Sequence, residues 1–110
     1  MDKETILSLA KKLNCEYEIG IWSETNDFLE RQENVLSYKL GYEENKFILK
    51  IKLREFNLIE IKILFHSLIT FLEYSSAIYC REENEGLVEY YFLSSLPDKK
   101  AFLLNIIFYS

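Results

Sequence analysis

Glycine, proline, cysteine and histidine are all scarce in these 110 residues, at 3, 1, 2 and 1 copies. Gly20, Gly41 and Gly86 stand alone, so no glycine-rich loop exists to cradle a phosphate. Cys15 and Cys80 lie far apart, match no metal spacing, and are too few for a stapled secreted scaffold. They point to a reducing cytoplasm and to inert packing. The lone His66 has no Ser, Cys or carboxylate partner at a fixed spacing, so no catalytic pair is visible and no enzyme is expected. The acidic clusters Glu43-Glu44 and Glu82-Glu83-Glu85 lack the converging spacing of a calcium loop; neither metal nor cofactor is expected. No basic block is present either. With 13 Lys and Arg against 18 Asp and Glu, the net charge is −5, which argues against nucleic-acid phosphates as partners. The first dozen residues carry charges where a signal peptide needs an apolar core, so no leader is expected.

What is abundant is apolar and aromatic. Hydrophobic residues make up 49% and aromatics 15%, with 8 Tyr, 8 Phe and 1 Trp, enough for a single domain over residues 1–110 to bury a core without staples. The longest apolar run covers residues 57–74 (NLIEIKILFHSLITFLEY) and carries its own start signal. Asn57 serves as N-cap, Glu60 completes a capping box, and Phe56 with Ile61 forms a hydrophobic staple. At helical spacing Leu58, Ile61, Leu64, Phe65, Leu68, Ile69, Phe71 and Leu72 share one half of the cylinder. Glu60, Lys62, His66, Ser67, Thr70 and Glu73 share the other. Period-two alternation over residues 59–63 offers a strand instead, but the cap and the spacing beyond Leu64 favour a helix. Charges every few residues keep this run from spanning a membrane.

In chain order, Asp2 caps a short helix with Ile6, Leu9, Ala10 and Leu13 as its stripe. Alternation over residues 17–22 predicts a strand, and residues 23–34, polar apart from Phe28 and Leu29, a loop or a loose turn of helix. Strands follow at 35–42 and 47–53, joined by a polar hairpin break. In the second, Phe47, Leu49, Ile51 and Leu53 point inward and alternate with Ile48, Lys50, Lys52 and Arg54, which give a basic, solvated outer face. After the central helix come strands at 76–80 and 87–93, separated by the charged turn REENEG. Pro97, with Ser95 as N-cap, predicts a last helix to about residue 109, although residues 105–109 (NIIFY) read equally well as a strand. The fold class is therefore α+β: an antiparallel sheet of about five strands with helices on one face, in the order α-β-β-β-α-β-β-α.

Ile59 and Ile63 are one turn apart among Glu60, Lys62, His66 and Thr70, where burial against the sheet cannot easily include them. Trp22 falls out of phase with Ile19 and Ile21 in the first predicted strand. Aromatic and aliphatic residues in such positions mark interface centres. The candidate partner-binding residues are thus Ile59, Ile63, His66 and Trp22, serving either another protein or a homodimer built through the central helix.

The element order resembles that of the class I type III secretion chaperones and the related YbjN-like domains. The likeness is carried by the long middle helix at residues 57–74 and by SSAIYC, REENEG and LVEYYFLSSLPDKKAFLLNII, similar to that family's strand hairpin, leucine-proline junction and closing helix. It implies a small acidic domain that dimerises through the middle helix and holds an unfolded stretch of another protein. A chaperone, an immunity protein or an inhibitor all fit a non-enzymatic protein-binding module. The alternative is a small-ligand sensor of truncated GAF-like type, with its ligand between sheet and central helix.

Overall fold

In a computed structural model of the chain, residues 2–13, 15, 19–44, 46–72, 78–94 and 101–110 are described, the side chains of 19–21 excepted. Helices α1 (Lys3–Leu13) and α2 (Ile19–Glu30) precede a hairpin of β1 (Val35–Glu43) and β2 (Lys46–Leu53). Helix α3 (Leu58–Phe71), a second hairpin of β3 (Ile78–Asn84) and β4 (Leu87–Ser94), and β5 (Phe102–Tyr109) complete the order. The α+β class and the five-stranded sheet are as expected. The strands lie in the order β1-β2-β5-β4-β3. All neighbours are antiparallel except β2 and β5, which pair in parallel.

Two elements differ from the sequence expectation. The strand expected over residues 17–22 lies partly outside the described residues, and its described part opens α2. There Trp22, Thr25, Phe28 and Leu29 turn inward at helical spacing, with Thr25, Phe28 and Leu29 buried. The stretch expected as a loop or a loose helical turn is thus regular helix as far as Glu30, with a short apolar stripe that includes a threonine. The last helix is in fact β5, the middle strand of the sheet. Phe102, Leu103, Leu104, Asn105, Ile106 and Phe108 are all buried. A strand covered on both faces shows a continuous apolar run, not an alternation, and such a run cannot be told from a buried helix by period. The described turn of the second hairpin is also tighter than REENEG. Residues 81–84 extend β3, and Asn84 pairs with Leu87, leaving Glu85 and Gly86 as the turn, with Gly86 at φ +74°.

The helices cover both faces of the sheet, not one. Successive strand residues point to opposite faces. Tyr90 and Phe92 of β4 join the main core, whereas Tyr91 and Leu93 join a smaller one. On the first face, the register Leu40–Leu49–Ile106–Tyr90 runs straight across four strands. The stripe of α3, namely Ile61, Leu64, Phe65, Leu68 and Leu72, packs into this same core with α2 beside it. Phe65 stacks on Tyr90 with ring centroids 3.7 Å apart. On the second face, Ile6 and Ala10 of α1 meet Tyr91, Leu93 and Leu103. Asp2 caps α1 as expected, its carboxylate accepting the Thr5 amide at 2.8 Å, and hydrogen bonding from Thr5, its side chain first and its amide second, holds the Asp2 carboxyl below its usual range.

Candidate functional site

The outer side of α3 is held in place at both levels of structure. Asn57 Oδ1 accepts the Glu60 amide at 2.9 Å, which starts the helix where the sequence predicts. Just before it, Asn34 clamps the approach: its amide donates to Glu55 O at 3.2 Å while its Oδ1 accepts Glu55 N–H at 2.8 Å. The Arg54 guanidinium donates to Glu33 O at 3.0 Å alongside. With the inner stripe locked in the core, the opposite stripe has to face outward.

That stripe carries Ile59, 71% exposed, and Ile63, 56% exposed. His66 continues it three residues on and is exposed as well. Its imidazole meets the Phe65 ring edge-on at 5.3 Å and Tyr79 of β3 at 5.9 Å. Tyr79 is itself 41% exposed and lies against Phe65 at 5.0 Å. Thr70 turns its hydroxyl inward to His66 O at 2.9 Å, which removes its demand for an outside partner. On the other flank Phe71 rests on Phe28 at 5.4 Å, with the Arg31 guanidinium 5.2 Å from its ring centre. An apolar stripe with aromatic flanks results.

Of the four sequence-predicted partner residues, the fold places Ile59, Ile63 and His66 on one stripe. Trp22 stands apart from it on α2, half-buried against the main core, and its indole N–H finds no acceptor among the described residues. Its expected outward position assumed a strand where the described chain is α2. Tyr79 escaped the sequence reading. Only the β3–β4 register, which sets it opposite Phe92, brings it beside α3.

The remaining candidates for chemistry are ordinary. Cys15 and Cys80 are free thiols in or against the smaller core, and burial pushes both pKa values up, away from the reactive thiolate. The Tyr90 hydroxyl is buried without a hydrogen bond among the described residues. Desolvation raises its pKa, and the nearby Arg81 opposes that rise. Among the described residues no three His, Cys, Asp or Glu side chains gather as a metal site would require. None of their helices is long and apolar enough to cross a membrane.

Fold and surface together define a small α+β domain with a mixed five-stranded sheet and an outward apolar helix face. Compared with family models, curated proteins and solved structures, the chain finds no match in any of the three.

Proposed function

We propose that this chain is a non-enzymatic protein-binding module that docks a partner on the outer face of α3. The observation that carries this is the exposure of Ile59 and Ile63, one turn apart on a helix whose other side is fully committed to the core. Each would contribute about 1.5–3 kcal/mol when buried at a contact. The His66–Tyr79 pair and Phe71 supply the aromatic flanks common in interface centres. A chaperone, an immunity protein or an inhibitor would each act this way, and self-association through α3 would use the same residues. The likeness to secretion chaperones supports the middle helix and the hairpin after it, but not the closing helix, which is β5 here. A ligand sensor is less well supported, because Phe65 stacked on Tyr90 fills the space between sheet and α3.

The test is the double variant Ile59→Lys, Ile63→Lys, compared with wild type in capture from the native host and in sedimentation of the free protein. Because the opposite stripe holds the core, the variant should keep its fold. It should lose the captured partner, or its own dimer, by about tenfold or more in affinity, equivalent to only about 1.4 kcal/mol. Unchanged capture and unchanged sedimentation would place the binding surface elsewhere.

A further inference from the structure

The described elements cover the second face of the sheet over only half its width. Helix α1 contacts β4 and β3, and its apolar side closes on Tyr91, Leu93 and Leu103. No described helix lies over β1 and β2 on this side. The pairing register gives the bare half its composition: Gly41 beside Ile48 beside Asn105, Lys39 beside Lys50 beside Ile107, and Ser37 beside Lys52 beside Tyr109. Ile48 and Ile107 form a half-buried apolar floor, and Lys39, Lys50 and Lys52 stand exposed around them.

These lysines are unusual in an acidic chain. Lys39 and Lys50 sit directly opposite each other on neighbouring strands, an arrangement that destabilises a sheet. Among the described residues the single ion pair is Arg81–Glu83, so no described carboxylate pairs with these lysines. The acid on the same row, Glu89, lies beyond Ile107, two strands and about 10 Å from Lys50. It is already occupied, accepting Asn105 Nδ2–H at 3.1 Å and the Tyr91 hydroxyl at 3.1 Å. Alongside α1 runs an open groove of about 610 Å³ with Leu7, Cys15 and Leu103 in its wall and the opposed charges Glu4, Glu44, Lys11 and Lys46 at its rim. Next to it is a shallower one of about 190 Å³ at Lys39, Gly41, Glu43, Ile48 and Lys50. A side chain built at Gly41 would meet open space.

We infer that this bare half-face binds an acidic amphipathic helix of a partner protein, laid beside α1 with its apolar side on Ile48 and Ile107 and its carboxylates on Lys39, Lys50 and Lys52. The width fits: two strands at about 4.8 Å spacing match a helix about 10 Å across. On the sheet floor Lys39, Lys50 and Lys52 outnumber the one lining carboxylate, Glu43, and this excess selects an acidic occupant. A second copy of this chain offers less, since the outer side of its α1 presents Thr5, Ser8 and Lys12. Nucleic acid is disfavoured by the net charge of −5 and by a basic surface too short to track a strand.

Fluorescence anisotropy tests this with a labelled peptide of about fifteen residues, Leu and Glu at helical spacing. A scrambled peptide of the same composition and a single-stranded DNA of similar length serve as controls. The wild type should bind the amphipathic peptide, more weakly as salt rises. Lys39→Glu with Lys50→Glu should weaken it by about tenfold or more, with no gain in melting temperature, because the facing pair stays like-charged with its sign reversed. The neutral pair Lys39→Gln, Lys50→Gln carries the same test should the first variant fold badly. Ile59→Lys with Ile63→Lys should leave peptide binding unchanged, which separates this site from α3. Absence of binding, equal binding of the scrambled peptide, insensitivity to the lysine changes, or tighter binding of the DNA would each overturn the inference.

Discussion

The two faces of the sheet are built from the same strands and yet are finished to different degrees. On the first, α2 and α3 close over Phe47, Leu49, Ile51, Tyr90, Phe92, Ile106 and Phe108, and aromatic rings interlock around Phe65. On the second, α1 closes over a patch of β3, β4 and the start of β5 and stops. Completeness on one side is what allows incompleteness on the other: with the main core supplying the apolar burial, the second face is free to hold charge. The lesson is that stability and recognition are divided between sides of one sheet, not between separate segments of chain.

The sharpest way to break this division is to remove matched side chains from each core. Leu68→Ala should cost about 2–5 kcal/mol and lower the protection of amides throughout β2 and β5. Ile6→Ala is the same kind of deletion in the smaller core. It should instead release α1 first, with hydrogen exchange rising in residues 3–13 well before the strands. If both variants loosen the whole molecule alike, the two faces are one cooperative unit and the division fails.

Alkali gives a second handle. Burial raises the thiols of Cys15 and Cys80 above their ordinary 9.0 and the phenols of Tyr90 and Tyr91 above 10.0. An acid that is raised on folding keeps its proton longer in the folded state. Its contribution is complete below the unfolded value and is lost as pH climbs through the folded one. Denaturant midpoints should therefore hold to about pH 8 and fall from about pH 9 upward. Cys15, Cys80 and Tyr91 belong to the α1 side, so that side should loosen first, and replacing both cysteines with alanine should delay the onset. A flat profile to about pH 11 would contradict the burial of these groups.

The smallest effect has the opposite sign. Lys50→Glu alone replaces a facing like-charge pair with an attractive one and should stabilise the fold by about 0.2–1 kcal/mol. Urea midpoints of this single variant decide it: a loss of stability would mean that the lysines already have partners.

The same two faces explain what could be read in advance. Helix α3 was legible down to its cap because Asn57, Glu60 and the inner stripe are local signals that tertiary packing merely confirms. The hairpin of β1 and β2 was legible because one of its faces is solvated, which leaves Phe47, Leu49, Ile51 and Leu53 alternating with polar neighbours. β5 was not, since burial from both sides erases the period that identifies a strand. Nor was α2, whose inner stripe depends on Thr25 as much as on Phe28 and Leu29. The same holds for the surfaces. Ile59, Ile63 and His66 follow from spacing on one helix. Tyr79 beside α3, and Lys39 across from Lys50, exist only once strand register is set, and Trp22 was misplaced with the strand assigned to it.

The order in which the strands are made has a consequence for assembly. β1 with β2, and β3 with β4, are local hairpins that need no other part of the chain to pair. Isolated hairpins are marginal in water. They do not touch each other in the sheet; β5 lies between them and is the last of the five strands in the chain. On a ribosome, the two halves would wait as separate, partly apolar ribbons until that strand arrived. Its parallel pairing with β2 then closes a loop from Leu53 to Phe102, a long-range contact of the slow kind. The middle of the sheet is therefore its keystone in time as well as in space, and nascent chains that lack it expose the surfaces that chaperones recognise.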